Sequence, residues 1–409
     1  MNGRLVIMGS GETAPTMVEV HKATLGAAGH GTSLLLDTPY GFQENADDIT
    51  EKAIAYFAKS VGRAVTPVGW RTRLEGTELD RRLTAIRTAR SVFAGPGSPT
   101  YALRVWSGSG FDDAVGAVLA SGGTVTFASA AALTIGVVTI PVYEIYKSGA
   151  DPAWAEGTNL LEKLTGLRAA VIPHYDNAEG GTHSTHFCYL GERRLRFLEG
   201  SLPEGAHVIG VDEHTALVLD LETRTASVLG NGGVTVRHDG VSRVIPTGST
   251  VPFEDLASRT EGAAVAAVAP PAVVEESAPS TSLRAAADAA RAAFDAALAK
   301  RDADSAAAAV LQLEQALTDW TSDTTQSSDG DHARRTLRGM VLELAAAANE
   351  GLADPRERIA PLVETLLSVR ATARAAKDFA TSDLVRDQLA AAGVEVRDSP
   401  DGVEWVLTA

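Results

Sequence analysis

A single cysteine, Cys188, among 409 residues leaves no partner for an internal disulfide. Without secretory context it points to a reducing cytoplasm. Long apolar runs are missing too: no stretch approaches the ~18 residues of a membrane span. Leu5-Val6-Ile7-Met8 is broken by Gly9 too early for a signal peptide. A soluble chain with no membrane partner is expected. Positive charge is short, with 36 Lys+Arg against 52 Asp+Glu and a formal net charge of −16. That balance argues against a broad footprint on nucleic-acid phosphates. Aromatic residues make up 5% of the chain, and after residue 282 only Phe294, Trp320, Phe379 and Trp405 remain. What is there is ordinary for a globular protein: 45% apolar and 22% charged residues exclude wholesale disorder. The length suffices for about two or three domains with real cores.

Two textures divide the chain. Residues 263–282, AAVAAVAPPAVVEESAPSTS, lack amphipathic period, and Pro270-Pro271 and Pro279 favour extended chain. This predicts a first domain over 1–256, an Ala/Pro-rich linker over 257–282 and a second domain over 283–409. The second part carries 14 Lys+Arg and 21 Asp+Glu, a net −7, which leaves −9 for the first.

In the first part, short aliphatic runs at 5–8, 33–36, 64–68, 91–94, 124–128 and 169–172 alternate with helical patterns at 45–61, 78–89 and 111–120. Strands covered on both faces and alternating with helices predict an α/β fold, a three-layer sandwich on a mostly parallel sheet. Residues 215–219, 225–229 and 234–237, separated by turns including Gly230-Asn231-Gly232-Gly233, predict an antiparallel meander. In the second part, 3.6-residue apolar spacing predicts helices over 283–300, 305–320, 333–349, 356–377 and 382–392. Asp304, Asp331, Asp354 and Thr381 stand where N-caps belong. Residues 394–396 and 403–407, around Pro400-Asp401-Gly402, predict a terminal hairpin.

Four strand ends carry chemistry. The run 124–128 passes straight into Ser129-Ala130-Ala131-Ala132, a turn that presents a serine hydroxyl above a sheet edge. A helix N-cap would use the same residue. Gly95-Pro96-Gly97-Ser98-Pro99-Thr100 also joins strand to helix, and its backbone N–H groups suit an oxyanion. Lacking Lys, it is no Walker-type phosphate loop. His174 follows the run 169–172, at the sheet edge where ligands sit in open parallel sheets, and can act as base to Ser129. Glu213, after another apolar run, can orient the imidazole. Residues 174–192, HYDNAEGGTHSTHFCYLGE, gather histidines and carboxylates. Their spacing fits no metal motif, so they are read as a polar substrate pocket including Asn177 and His186, with Cys188 a buried apolar residue. Neither metal nor cofactor is called for.

With AGPGSPTYAL, FASAAAL, IPHYDN and GVDEHTALVL, residues 1–250 resemble the dipeptidase E and cyanophycinase family of serine peptidases, which share the class I glutamine amidotransferase-like fold. The resemblance implies Ser129 as nucleophile, His174 as base, Glu213 as acid, and an oxyanion hole from the backbone of Gly97, Ser98 and Ala130. Glu144, fifteen residues after Ser129, is a rival acid. The family's elbow is commonly Gly-x-Ser-Ala-Gly, where this chain has Phe127 and Ala131. Its loop is commonly Gly-Gly-Gly-Asn, where this chain has Pro96 and Ser98. The tail, LLSVRATARAAKDFATSDLVRDQLAAAGVEVRDSPDGVEWVL, resembles the end of cysteinyl-tRNA synthetase, and the helices from about 283 resemble that enzyme's adjoining helical region. HIGH and KMSKS signatures are absent, so the chain is no complete ligase.

Together these resemblances imply a serine-type peptidase or amidase acting on a small peptide or amino-acid conjugate. The alternatives are an inactive hydrolase-like binding protein associated with tRNA or translation, and a hydrolase of aminoacyl-tRNA. Arg334, Arg335, Arg338, Arg370, Arg374 and Lys377 are the candidate tRNA phosphate contacts. Otherwise the tail would be a docking or homodimer bundle.

Overall fold

A computed structural model of the protein describes residues 2–178, 184–258, 282–320, 327–350, 355–399 and 402–408. The expected linker lies, from 259 to 281, outside these residues, as do Asp354 and Pro400-Asp401. Packing divides the chain into two compact units: Met1–Leu283 with Leu317–Gly330, and Arg284–Ala316 with Asp331–Ala409.

The first unit contains strands β1 (Arg4–Met8), β2 (Ser33–Leu36), β3 (Thr66–Pro67), β4 (Ser91–Ala94), β5 (Thr124–Ala128), β6 (Val138–Thr139) and β7 (Ala155–Glu156). It continues with β8 (Ala169–Ile172), β9 (His207–Val211), β10 (Thr215–Asp220), β11 (Thr225–Gly230), β12 (Gly233–His238), β13 (Val241–Pro246) and β14 (Thr250–Pro252). A mixed eight-stranded sheet runs β14-β11-β10-β1-β5-β4-β2-β3. From β1 to β3 all neighbours are parallel, and on the other side of β1 the pairs are antiparallel.

Alternation along β1 shows why both sheet faces are covered. Leu5 and Ile7 join a core with Leu36, Val125, Phe127 and Trp106, while Val6 and Met8 join one with Leu35, Phe57 and Phe93. The strand expected over 64–68 shrinks to Thr66–Pro67 at the sheet's edge. Pro67 has no N–H to extend a ladder.

Two expectations change. The run 169–172 is β8 of a second sheet, ordered β13-β12-β9-β8, in which β8 and β9 are parallel. The expected meander is split, because β10 and β11 pair in the main sheet while β12 pairs with β9 and β13. The Gly230–Gly233 turn does not fold β12 back on β11. Instead, Asn231 N–H donates to the His214 carbonyl at 2.9 Å, and Gly232 N–H to Thr215 Oγ1 at 2.9 Å. The chain is thereby sent toward β9.

The C-terminal part of the chain carries helices Leu283–Ala299, Ala303–Asp319, Ser327–Glu350, Pro355–Ala375 and Phe379–Ala391, with a hairpin of β15 (Val394–Ser399) and β16 (Gly402–Leu407). Val396 opposes Trp405 across the hairpin. Val363, Leu389, Val394 and Trp405 form a core between the last two helices and the hairpin. Two caps fall earlier than expected. Asp302, not Asp304, accepts Ser305 N–H at 3.0 Å, and Asp378, not Thr381, accepts Thr381 N–H at 3.1 Å. Residue 331 lies inside helix Ser327–Glu350 rather than at its start.

Candidate active site

Two parallel pairings and one crossing bring three remote side chains together. Met8 of β1 lies beside Ala128 of β5, so Ser129 emerges at the carboxyl edge of the main sheet. Ile172 of β8 lies beside Gly210 of β9, so the segments carrying His174 and Glu213 leave their sheet at one level. Residues 212–214 then carry the chain from β9 of the small sheet into β10 of the main one. Gly9 N–H donates to the Thr215 carbonyl at 3.0 Å there. A Cβ on Gly9 would lie 1.9 Å from the Asp212 carbonyl oxygen, so this crossing requires glycine.

Ser129 Oγ lies 2.9 Å from His174 Nε2, and His174 Nδ1 lies 2.8 Å from Glu213 Oε1. A carboxylate only accepts, so Nδ1 carries the proton toward Glu213 and Nε2 can accept from the Ser129 hydroxyl. The Ser129 hydroxyl makes no hydrogen bond capping helix Ala130–Leu133. Its backbone is held at φ 52° and ψ −122°, and His174 and His214 stand at φ 50° and 51°. Such backbone is costly for residues with a Cβ, and here it is concentrated around one cluster. Ser129 and His174 are 7% and 6% exposed. Burial raises the Glu213 carboxyl pKa. The hydrogen bond and charge of His174, with the amide of Asn177, outweigh it and hold the value below the ordinary one.

The other sequence-predicted residues are distributed differently. Gly97, at φ 137°, packs so tightly that a Cβ would lie 2.1 Å from the Pro39 carbonyl oxygen. Ser98 is corrected: its N–H donates to that same carbonyl at 2.8 Å, and its hydroxyl accepts Tyr101 N–H at 3.2 Å. Its donor is spent inside the fold. Ala130 is the first residue of its helix, where the leading N–H has no intrahelical acceptor, and the loop is tied to the elbow by Ala131 N–H on the Gly95 carbonyl at 3.2 Å.

Asn177 is fully buried and donates to Glu213 Oε1 at 3.0 Å, so it holds the acid rather than facing substrate. Glu144 accepts the Thr100 hydroxyl at 2.7 Å. The carboxylate on His174 is that of Glu213. His186 is exposed beside Phe187, with ring centroids 5.8 Å apart. His183 lies outside the described residues, and among those described no three His, Cys, Asp or Glu side chains gather around a metal position. Cys188 is buried, which pushes its thiol pKa up, and its N–H donates to the His174 carbonyl at 3.1 Å. Phe127 is absorbed by the core, between Trp106 at 6.5 Å and Phe111 at 6.4 Å.

Sequence reasoning placed Asp176 only in the polar 174–192 cluster, whereas its Oδ1 accepts the Glu213 N–H at 2.7 Å. It also missed the 9–11 loop, where Ser10 O accepts His214 N–H at 3.1 Å and a Cβ on Gly11 would strike the His214 ring at 2.2 Å. The two glycines after the first strand were the available signal.

Burial, reinforced by the charge of Asp176, raises the Asp212 carboxyl to about 6. The folded chain therefore holds this proton more tightly than the unfolded chain. The stability it contributes is present at acid pH and lost as pH rises through about 6. Asp212→Asn keeps an oxygen for the Gly233 N–H, 2.8 Å away. It is expected to raise the melting temperature above pH 6 and to change it little near pH 4. An equal shift at both pH values in a melting series would contradict this.

In the second unit Arg370 is also corrected. It is 4% exposed and binds Asp398 through two nitrogens, at 2.8 and 2.7 Å, while Arg374 reaches the same carboxylate at 2.9 Å. Arg370 is thus a structural anchor of the hairpin and has no reach to a phosphate. Arg335, Arg338 and Lys377 are exposed.

Residues 356–405 match the family model of the cysteinyl-tRNA ligase anticodon binding domain. A cysteine–tRNA ligase from Beutenbergia cavernae is 43% identical over 110 residues, 25% of this chain and 23% of that protein. One from Porphyromonas gingivalis is 40% identical over 86 residues, 20% of this chain and 18% of that protein. The chain thus spans less than a quarter of the ligases it matches. A peptidase from an acI-B1 Actinobacterium superposes over 62% of this chain and 98% of its own, with TM-score 0.51 and 21% identity, a likeness of fold. No helix among the described residues is long and apolar enough to cross a membrane. The chain therefore joins an N-terminal α/β part that shares the fold of a solved actinobacterial peptidase to a C-terminal part similar to the anticodon-binding end of cysteinyl-tRNA ligases.

Proposed function

We propose that the α/β unit is a serine-type amide hydrolase acting on a small peptide or amino-acid conjugate. The observation that carries this is the chain of contacts from Ser129 Oγ through His174 to Glu213, at 2.9 and 2.8 Å, on a strained elbow. Ser129 attacks the scissile carbonyl while His174 Nε2 takes its proton and returns it to the leaving amine. Glu213 holds the imidazole and stabilises its charged form, with Asn177 fixing its carboxylate and Asp176 its backbone N–H. The N–H groups of Gly97 and Ala130 receive the oxyanion. Water then hydrolyses the acyl-enzyme by the same base. No cofactor or metal takes part, and a reducing, cytoplasmic setting suits the single buried Cys188.

The test is labelling of the full chain by a fluorophosphonate, which reacts quickly only with an activated serine. Rapid modification at Ser129 is expected. An unreactive Ser129 in a folded chain would favour an inactive, hydrolase-like binding protein instead.

A second reading concerns the tail. Its match to an anticodon binding domain favours contact with tRNA, through Arg335, Arg338, Arg374 and Lys377 rather than Arg370. Joined to the first reading, this allows hydrolysis of an aminoacyl group carried on tRNA. With about four phosphate contacts, affinity for bulk tRNA is expected to fall about a hundredfold between 50 and 200 mM salt. A gel-shift titration of the full chain reads this, and no retardation even at low salt would remove tRNA as a partner.

A further inference from the structure

Helix Gly191–Glu199 sorts its charges by flank. Leu195 and Leu198 face inward and join a core with Ile145. Glu192 and Glu199 are spent on Arg237, and Arg196 on Glu192. Arg193, Arg194 and Phe197 remain, and their spacing of three and four residues makes them neighbours on the helix surface. Arg194 donates to the Leu190 carbonyl at 3.2 Å, and neither guanidinium forms an ion pair among the described residues. Phe197 is 66% exposed, more than any other phenyl ring among those residues. Together with Ile145, Gly149 and Asp151 these three side chains line one cleft of about 540 Å³. Trp154 Nε1 donates to the Leu198 carbonyl at 2.8 Å and ties the segment after Asp151 to the helix.

Each lining group asks for a different complement. Neighbouring guanidiniums match phosphate or carboxylate oxygens through their planar forks, and a cleft concentrates their field even in a chain of net charge −16. An open phenyl face takes a flat ring by stacking. A carboxylate repels anions but accepts from hydroxyl groups, so Asp151 selects a ligand that carries hydroxyls beside its negative charge. A cleft of this size suits a small molecule rather than a single ion. A nucleotide offers the anion, the flat ring and the hydroxyls together. We infer that this cleft is a nucleotide-binding site: Arg193 and Arg194 hold the phosphate, Phe197 stacks the base and Asp151 accepts the ribose hydroxyls. A free nucleotide and a nucleotide within a single RNA strand present the same groups. A glutamate-rich peptide would satisfy the guanidiniums but leave the ring and Asp151 unmatched. The site belongs wholly to the α/β unit, so it depends neither on the serine hydrolase reading nor on the tRNA reading of the tail.

Equilibrium dialysis of the full chain against labelled AMP at low salt tests this. AMP should bind about tenfold or more tightly than either adenosine or inorganic phosphate, because neither fragment engages both the ring and the cations. Phe197→Ala should weaken AMP about five- to a hundredfold and leave phosphate unmoved. Arg193→Gln combined with Arg194→Gln should weaken AMP about tenfold or more and leave adenosine unmoved. The preference for AMP over its dideoxy analogue, about tenfold, should shrink in Asp151→Asn. Circular dichroism melting establishes that the variants fold. A short oligoadenylate that displaces labelled AMP identifies a strand as the source of the nucleotide, and one that fails to displace it identifies the free nucleotide. The assignment is overturned by no AMP bound at about 1 mM, by AMP binding unmoved in Phe197→Ala, or by a glutamyl peptide that displaces AMP as well as unlabelled AMP does.

Discussion

Ser129→Ala is expected to lower kcat for hydrolysis of a small aminoacyl amide by about 10⁴-fold or more, with KM changed little. The asymmetry follows from where the hydroxyl acts. In the proposed mechanism Ser129 Oγ, 2.9 Å from His174, forms a bond in the transition state that the bound substrate does not yet have. His174→Ala should cost about as much, and the double variant hardly more, because the two residues act as a unit. Glu213→Gln should cost less, since Asn177 and the Asp176-anchored backbone still hold position 213 while the charge is lost. Initial rates of amine release at saturating substrate measure all four. A Ser129→Ala enzyme working at the original rate would eliminate the serine mechanism.

The second large effect concerns stability. Arg237 on β12 is 3% exposed and is gripped by Glu199 at 3.0 and 2.8 Å and by Glu192 at 3.0 and 2.9 Å. Burial alone lowers the Arg237 pKa, but the two carboxylates overcome it and raise the value. The same pairing holds the Glu192 carboxyl down at about 2. Arg237→Ala leaves Glu199, whose side chain is 5% exposed, as a buried charge without its cation. The expected loss is about 3–5 kcal/mol, seen as a melting temperature lower by about 6–20 °C. Replacing Arg237 and Glu199 together by Met and Leu should cost clearly less than Arg237→Ala alone, because the remaining Glu192 is half exposed and still pairs with Arg196, so no buried charge is stranded. A double variant as unstable as the single one in thermal melts would refute this account.

Activity should suffer with Arg237 as well. Its guanidinium lies over the Phe187 ring at 5.4 Å, and Phe187 N–H donates to the Tyr175 carbonyl at 2.9 Å. Phe187, Cys188 and Tyr189 all adopt positive φ, at 61°, 54° and 66°. This strained turn grips the backbone of His174 and Tyr175, and it persists only if its surroundings hold it.

Much of the candidate site was legible because strand ends are written locally. The aliphatic run before Ser129, the run before Pro173-His174 and the run before Asp212-Glu213 each identify a strand and where it stops. Strand ends at sheet edges are where side chains can converge. The terminal hairpin was legible for the same reason, from period-two alternation around a turn. Sheet membership was not. Strand β8 reads like any other buried strand, and only its pairing with β9 places it outside the main sheet.

Local sequence determined the element types, the division into an α/β part and a helical part, and the three strand ends that carry Ser129, His174 and Glu213. Short-range periodicity and turn chemistry act within a few residues, and those features need nothing more. Only the tertiary structure decided which polar groups remain available. Pro39 consumes the Ser98 N–H, Asp398 consumes Arg370, Glu213 consumes Asn177, and Glu144 keeps one oxygen open. In each case the deciding partner comes from a different segment of the chain. Hydrogen-bond satisfaction is a property of the folded arrangement, because each donor is spent on whichever acceptor the packing brings to it.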